Sequence, residues 1–297
     1  MKHLKTYKLF ESSVKEESAE EIYALLKRDC PKYLAMLKSC YTDNTENYNL
    51  DFEDELFEYF DKEIPMLYRG SEKLVSGNIE EREARKDRWS KDTKQEISDE
   101  IDDVFQAKYN IKPRREGVFS TSSFKSAGHY GDEYMFFPMG DFKFIWSKDI
   151  DDLNDELMNP ANKLYSWYMW IDSEHYRKHK IDGEAREKFE LNHQLSVPKI
   201  NGKEVTMDEV NRFKEKFEKE MNISMASEKK KWMDTIVDRY LVDEDLCGAI
   251  GHKNEITFIC DYYYLVKNAM SGALEDRKDF ELKKLIFDID IEIPKDI

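Results

Sequence analysis

Three short segments that lie far apart in the sequence carry side chains of complementary chemistry. Arg69 follows a short apolar run, Ser120 opens a Ser-Thr-Ser turn, and Glu255 leads an alternating apolar segment. A guanidinium binds phosphate groups through paired donors, and a fixed carboxylate stabilises positive charge that develops on a sugar. We expect each of the three at the end of a short strand, where the backbone holds the side chain in place.

Each of these side chains also has an ordinary structural interpretation, which the residue types leave open. Arg69 could be a surface arginine before a turn glycine, Ser120 part of a common loop, and Glu255 a solvated carboxylate. There is no Gly-x-Ser-x-Gly element, and no histidine lies at a recognisable spacing from a partner acid, so Ser120 is not expected to be a nucleophile. The four cysteines lack Cys-x-x-Cys spacing, so no metal site is expected.

Taken in order, Tyr68-Arg69-Gly70, the Ser-Thr-Ser turn at 120–122 and Glu255 before its apolar segment resemble the Arg-Ser-Glu class of mono-ADP-ribosyltransferases, in the form that bacteriophages encode. The resemblance implies an α+β, ADP-ribosyltransferase-like fold, in which split antiparallel β-sheets are flanked by helices and NAD lies in the cleft between them. The catalytic domain would span 61–297, with an added N-terminal helical region at 1–60 and a helical insertion at 151–240.

The resemblance also implies a reaction and the roles of individual residues. Glu255 would bond a ribose hydroxyl of the co-substrate NAD and stabilise an oxocarbenium-like transition state while nicotinamide leaves. Arg69 would bind the pyrophosphate or its adjoining ribose, and Ser120 would orient the nicotinamide end and hydrogen-bond Glu255. ADP-ribose would pass to a host protein acceptor. The implied catalytic residues are Arg69, Ser120 and Glu255, and the implied NAD-binding residues are Arg69, Gly70, Ser120, Thr121, Ser122 and Tyr130, the last covering the nicotinamide ring.

One position departs from the family pattern. Many arginine-modifying members carry Glu-x-Glu, whose first acid activates the acceptor, whereas this chain reads Lys253-Asn254-Glu255. Asp243, Glu244 or Asp245 on the preceding loop could replace that acid in space. Two alternative functions therefore stay open: a catalytically inactive virion or host-interaction protein on the same fold, and an NAD glycohydrolase that transfers ADP-ribose to water.

Helical signals fill the region before the first motif and the insertion. A capping box at Ser18 to Glu21 predicts a helix over about 18–28, and Pro31 fits the first turn of the next helix. Apolar residues at 52–60 continue an amphipathic pattern, and a further helix is expected from about 92 to 110. The segment 71–92 is expected to be a loop or a short helix.

Short apolar runs predict the strands. We expect a strand over 64–67 that ends at Arg69, further strands over 117–120, 134–138 and 142–146, and a short helix over 124–130 that Gly131 ends. A last β-segment begins at Glu255, and the residues 262–266 either continue it or form a second strand.

Composition bounds the partners and the compartment. The net charge of −16 disfavours nucleic acid and favours a basic protein partner, and the longest apolar run, around 164–171, is far shorter than the about 20 residues that cross a bilayer. The first eleven residues lack the apolar core of a secretory signal, so secretion is not expected, and the resemblance implies the host cytoplasm. Leu9-Phe10-Glu11 also resembles the cleavage element of phage head-targeting peptides, which would imply packaging in the virion head and injection; an ordinary frayed amino terminus is the alternative.

Overall fold

The computed structural model describes residues 17–43, 63–75, 77–88, 95–158, 224–267 and 278–290, together with residue 59, two short strands within 199–204 and isolated positions between 208 and 222. These residues form a mixed α+β fold with two antiparallel sheets and helices. The chain divides into two compact units, each assembled from separate stretches of sequence. The first comprises Met1–Glu83, Ser120–Phe142 and Cys260–Ile297, and the second comprises Ala84–Phe119 and Lys143–Ile259.

The secondary-structure elements are numbered here in chain order. The helices are α1 (Ala19–Asp29), α2 (Pro31–Cys40), α3 (Gln95–Tyr109), α4 (Pro113–Glu116), α5 (Phe124–Ala127), α6 (Leu153–Met158), α7 (Met225–Val237), α8 (Leu246–His252) and α9 (Lys278–Phe287), and a 3-10 turn spans Gly128–Tyr130. The strands are β1 (Tyr68–Ser71), β2 (Ile79–Glu83), β3 (Val118–Ser120), β4 (Asp132–Pro138), β5 (Lys143–Ser147), β6 (Lys199–Ile200), β7 (Lys203–Glu204), β8 (Tyr240–Val242), β9 (Ile256–Ile259) and β10 (Tyr262–Lys267).

The first unit contains a four-stranded antiparallel sheet in the order β1-β4-β10-β2. Its inner strands β4 and β10 are almost continuously apolar and buried, which is the pattern of strands covered on both faces. Tyr33 of α2 meets Phe137 of β4 edge-to-face, with ring centroids 5.9 Å apart. The aromatic contact joins the helical and β parts of one core, to which α1 and α9 also contribute fully buried side chains at Leu26 and Leu282.

The second unit contains a four-stranded sheet in the order β3-β9-β5-β8, and β6 pairs with β7 as a separate two-stranded ladder. Phe144 of β5 and Phe258 of β9 face each other as a stacked pair, with centroids 5.8 Å apart. A core of aliphatic and aromatic residues from α3, α6, α7, the strands β5 and β8 and the adjoining loops is buried beside this sheet; its members are Ile101, Phe105, Ile111, Ile145, Ile150, Leu153, Leu157, Met233, Ile236, Val237 and Tyr240.

The structure confirms the helices that have clear start and stop signals. Ser18 caps α1 through a complete capping box with Glu21, and Pro31 is the first residue of α2. The helix expected before residue 110 is α3, and the short helix after the Ser-rich turn is α5 with its 3-10 extension, which Gly131 ends at φ +121°. Among the described residues, no helix combines the length and apolar composition needed to cross a bilayer.

Several strand predictions are corrected. Residues 64–67 are buried but lie outside any strand, so Arg69 is the second residue of β1 rather than the residue that follows a strand. The loop predicted over 71–92 contains β2, whose alternation is hidden because its residues are mostly charged. The strands predicted over 134–138 and 142–146 are confirmed as β4 and β5, and the two belong to different sheets.

The open choice at the last β-segment is resolved in favour of two strands. β9 begins at Ile256, so Glu255 is the residue immediately before a strand. β9 and β10 lie in different sheets, because the chain leaves one sheet at Ile259 and enters the other at Tyr262.

Parts of the expected architecture lie outside the described residues. These are the targeting element at 9–11, the amphipathic run at 52–60 except for residue 59, and the centre of the predicted insertion at 159–198. The described ends of the insertion contain α6 and α7, as expected, and the two short strands β6 and β7, which were not expected.

Candidate functional site

The first unit joins the arginine segment to the Ser-Thr-Ser turn. Tyr68 and Thr121 form a β-bridge in which each backbone N–H donates to the other's carbonyl, at 2.7 Å and 2.9 Å. Arg69 follows Tyr68 and is half-buried in β1, where it pairs with Tyr134 of β4. Its guanidinium carbon lies 5.8 Å from the ring centroid of Tyr263, at a cation–π distance. Two predicted motif segments are therefore neighbours in space.

Gly70 sits where the backbone of another segment approaches too closely for a side chain. A Cβ on Gly70 would lie 2.0 Å from the carbonyl oxygen of Ala127 and 2.8 Å from the Cβ of Tyr130. Tyr130 itself is 57% exposed, which is unusual for a large aromatic side chain. The glycine of the Tyr-Arg-Gly element thus allows the 3-10 turn to lie against β1 and present the Tyr130 ring to solvent.

The hydroxyl groups of the Ser-rich turn are used in different ways. Ser120 is buried at the end of β3, and Thr121 Oγ1 accepts the backbone N–H of Ser123 at 3.1 Å. Ser123 then caps α5 by accepting the N–H of Ser126 at 3.1 Å. Local hydrogen bonds therefore order the turn, which lies beside the strand that carries Arg69. Among the predicted NAD-binding residues, Gly70 lies against Tyr130, and Thr121 pairs with Tyr68, the residue before Arg69.

In the second unit Glu255 is held at the entrance to a buried strand. Its backbone N–H donates to the carbonyl of Asp151 at 2.9 Å, and the next residues, in β9, are buried between β3 and β5. The side chain keeps intermediate exposure although protein atoms surround its carboxyl group closely. Glu255 is therefore rigid, mostly enclosed and still partly open to solvent.

The environment of Glu255 raises its pKa to about 7. Burial is the largest cause and the nearby Asp152 carboxylate adds to it; Arg114, Arg88 and a hydrogen bond from the Thr257 side chain act in the opposite direction. Glu255 also belongs to the environment of the buried Tyr240, whose pKa burial raises well above its ordinary value. A carboxyl group with a pKa near neutrality is typical of functional sites, although ion-pair networks in a core produce the same shift.

Two arginines flank one aromatic ring beside this carboxylate. The guanidinium carbons of Arg88 and Arg114 lie 4.2 Å and 5.4 Å from the ring centroid of Phe119 in β3. Arg88 Nη1 also donates to the carbonyl of Gly117 at 3.4 Å. Cations held against a ring face gain electrostatic stabilisation and lose side-chain freedom, so both charges are fixed in place.

A buried aspartate anchors the segment that carries Arg114. Asp102 of α3 accepts the backbone N–H groups of Arg114 at 2.8 Å and of Arg115 at 2.9 Å, at the start of the short helix α4. Burial raises the pKa of Asp102 to about 6, and the two backbone hydrogen bonds and the cations oppose that increase. Asp102 thereby positions Arg114 through α4, which packs against both α3 and β9.

The loop acids that could replace the missing first acid of Glu-x-Glu are mostly committed to local structure. Asp243 accepts the N–H of Phe144 at 2.8 Å, and Asp245 caps α8 by accepting the N–H of Gly248 at 2.9 Å. The backbone carbonyl of Glu244 accepts the indole N–H of Trp146 at 2.9 Å. Lys253 ends α8 in the left-handed conformation, with φ of 61°, and is exposed.

Sequence reasoning missed three charged residues of the Glu255 environment, namely Arg88, Arg114 and Asp152. Each lies more than 100 residues before Glu255 in an ordinary polar context, so no spacing links them to it. A Pro-Arg-Arg-Glu helix directly before the Ser-Thr-Ser strand was the one available signal for Arg114.

Neither the described side chains nor comparison with known proteins identifies a ligand. Within the described ranges, no group of three or more His, Cys, Asp or Glu side chains is arranged to hold a metal ion. The chain matches no protein-family model, no curated protein and no solved structure.

Proposed function

We propose that this protein is a mono-ADP-ribosyltransferase of the bacteriophage type, which transfers ADP-ribose from NAD to a host protein on an ADP-ribosyltransferase-like fold. The observation that supports it most is the backbone pairing of Tyr68 with Thr121. Nothing in ordinary loop chemistry requires the arginine element and the Ser-Thr-Ser turn to meet, yet a shared dinucleotide site does. Glu255, which belongs to the second unit, is enclosed and still partly open to solvent, as the role proposed for its carboxylate requires.

Each residue has a role that follows from its chemistry. Arg69 binds the pyrophosphate or its adjoining ribose, because a guanidinium offers paired donors to phosphate oxygens. The Tyr130 ring covers the nicotinamide, and Ser120 orients it. As the bond between nicotinamide and ribose breaks, its electron pair moves to the nicotinamide nitrogen, and the Glu255 carboxylate stabilises the positive charge left on the ribose.

The acid–base state of Glu255 makes this role dependent on pH. Only the ionised carboxylate stabilises a cation, and its pKa is raised to about 7. We therefore expect cleavage of NAD to increase as pH rises through this range, with a midpoint near the pKa of Glu255.

Lys253 favours a second candidate function, a catalytically inactive host-interaction protein with the same fold. A lysine at this position cannot act as the first acid of the family's pair. This candidate predicts that NAD is neither cleaved nor required for binding to a host protein.

The decisive experiment measures nicotinamide release from NAD by the purified protein and by Glu255→Gln. We expect the variant to lose about 100-fold or more of the rate, because the neutral amide cannot stabilise the developing cation. Glu100→Gln, an exposed glutamate of α3, is the matched control and should retain the full rate. Release of nicotinamide that is unaffected by Glu255→Gln, or no release by the unmodified protein, would refute the proposal.

A further inference from the structure

Asp152 is tied to Glu255 through the backbone. The N–H of Glu255 donates to the carbonyl of Asp151, so Asp152 is the residue after the hydrogen-bonded partner. Asp152 immediately precedes α6: its carbonyl accepts the N–H of Glu156 at 3.2 Å, and its Oδ1 accepts the N–H of Asn154 at 2.6 Å. These bonds hold the half-buried Asp152 side chain in a defined orientation at the helix start.

The carboxylates of Asp152 and Glu255 interact electrostatically. Asp152 raises the pKa of Glu255, and both acids act on the buried Tyr240 hydroxyl. The other charges that face Glu255 are the cations Arg114 and Arg88. Two acids in one site allow two acid–base tasks to be divided between two side chains.

The proposed transfer has a second task that Glu255 does not perform. When a protein hydroxyl or guanidinium attacks the ribose carbon, a new bond forms from the lone pair of the acceptor while the bond to nicotinamide breaks. The acceptor then carries one proton too many, and a base must take it. Water attacks without a specific base more readily than a protein side chain does, because water can pass its proton to bulk solvent.

We propose that Asp152 is this base: its carboxylate takes the proton of the acceptor side chain while the Glu255 carboxylate stabilises the ribose cation. The assignment rests on the proposed function. It names the class of acceptor as a side chain with a proton to lose, a hydroxyl or a guanidinium. Lys253 cannot take this proton, and among the acids of the preceding loop Asp243 accepts the N–H of Phe144 while Asp245 caps α8.

The test compares Asp152→Asn with the unmodified protein in two assays. Asparagine keeps an oxygen that can accept the N–H of Asn154, so the start of α6 is preserved, but it cannot accept a proton. We expect protein labelling from biotinylated NAD in a bacterial lysate to decrease about 100-fold, and nicotinamide release in the absence of lysate to change less than about 3-fold. Asp155→Asn, which removes one exposed charge from the same helix, should leave both assays unchanged.

A second readout separates a folded variant from a partly unfolded one. Removal of the Asp152 charge takes away a group that raises the pKa of Glu255. The pH at which nicotinamide release reaches half its maximum should therefore move to lower pH in Asp152→Asn, whereas a partly unfolded variant would lose rate at all pH values.

The outcomes distinguish this inference from the proposed function. Glu255-dependent nicotinamide release with unchanged labelling in Asp152→Asn would overturn the role of Asp152 alone, as would an equal decrease in both assays. Nicotinamide release without any protein labelling by the unmodified protein would also overturn it, because no acceptor is then deprotonated. An absence of nicotinamide release would overturn both.

Discussion

The two units hold their candidate residues by different physical means. In the first unit, contact between backbones places Arg69, the Ser-Thr-Ser turn and Tyr130. A side chain at Gly70 is excluded because its Cβ would lie 2.0 Å from the carbonyl oxygen of Ala127. In the second unit, charges surround Glu255, and its partners come from segments that sequence spacing does not connect. Where two backbones lie in close contact, the sequence usually shows a glycine at that position. Where charged side chains from distant segments surround a residue, a single sequence shows no such signal.

The sharpest test of this contrast is Gly70→Ala, for which we expect the largest effect. A methyl group would overlap the Ala127 carbonyl, so β1 or the 3-10 turn must move, and we expect a loss of about 3 kcal/mol or more in unfolding free energy. Gly251→Ala is the control, because no atom lies within 4 Å of the added methyl and the site is helical. Urea unfolding of both variants is the measurement. Equal stabilities would show that contact between backbones does not hold the first unit's site.

In the second unit, Asp102→Ala should reduce the unfolding free energy somewhat less than Gly70→Ala does. The substitution removes the acceptor of two N–H groups at the start of α4, and we expect about 2 to 3 kcal/mol of destabilisation. The neighbouring Asp103 is exposed and forms a weak ion pair with Lys112, so Asp103→Ala should change stability by less than about 0.5 kcal/mol. Thermal unfolding at neutral pH distinguishes them, and a similar cost for both would contradict a specific anchoring role.

Glu255→Gln should separate stability from activity. The pKa of Glu255 is raised from its ordinary value of 4.5 to about 7, so the folded protein retains a proton that the unfolded chain loses over that window. Stability from this group is therefore present below pH 4.5 and lost as pH rises to 7. We expect the variant to gain about 1 to 3 kcal/mol at pH 8 and nothing at pH 4.5, measured by urea unfolding. A loss of stability at pH 8 would instead indicate a structural ion pair.

The smallest effect on stability is expected at the exposed ring of the first unit. Tyr130→Ala should change the unfolding free energy by less than about 0.5 kcal/mol. Under the proposed function it should weaken NAD binding about 10-fold, because a ring that covers nicotinamide contributes roughly 1 to 2 kcal/mol. Leu74→Ala, which alters another exposed apolar side chain of this unit, is the control for isothermal titration with NAD. Equal affinities in the two variants would remove Tyr130 from the site.

The parts of the fold that the sequence predicts are those with local causes. The capping box at Ser18, Pro31 at a helix start and Gly131 at a helix end act within a few residues, and all three were predicted. The strand β2 was missed because its residues Ile79–Glu83 are mostly charged and lie at an edge of the sheet, where apolar alternation is not required.

The candidate site was predictable to the same limited degree. The Tyr68–Arg69–Gly70 element and the Ser-Thr-Ser turn were recognised as motifs, and the structure pairs the backbones of Tyr68 and Thr121. Asp152, Arg114 and Arg88 could not be assigned to Glu255, because the long-range topology that joins their segments is not encoded in any local pattern. Arg69 was expected at the end of a strand over 64–67, because these apolar residues resemble a strand; the strand instead begins at Tyr68 and contains Arg69.

The position of the last strands in both sheets has a consequence for synthesis of the chain. β10 lies between β4 and β2 in one sheet, and β9 lies between β3 and β5 in the other, although both are translated after all of their neighbours. On the ribosome, β4 and β5 each wait with an exposed edge until more than a hundred further residues have emerged. A nascent chain stalled before residue 256 would therefore have neither four-stranded sheet complete, and chaperones would meet it with two open gaps rather than one folded half.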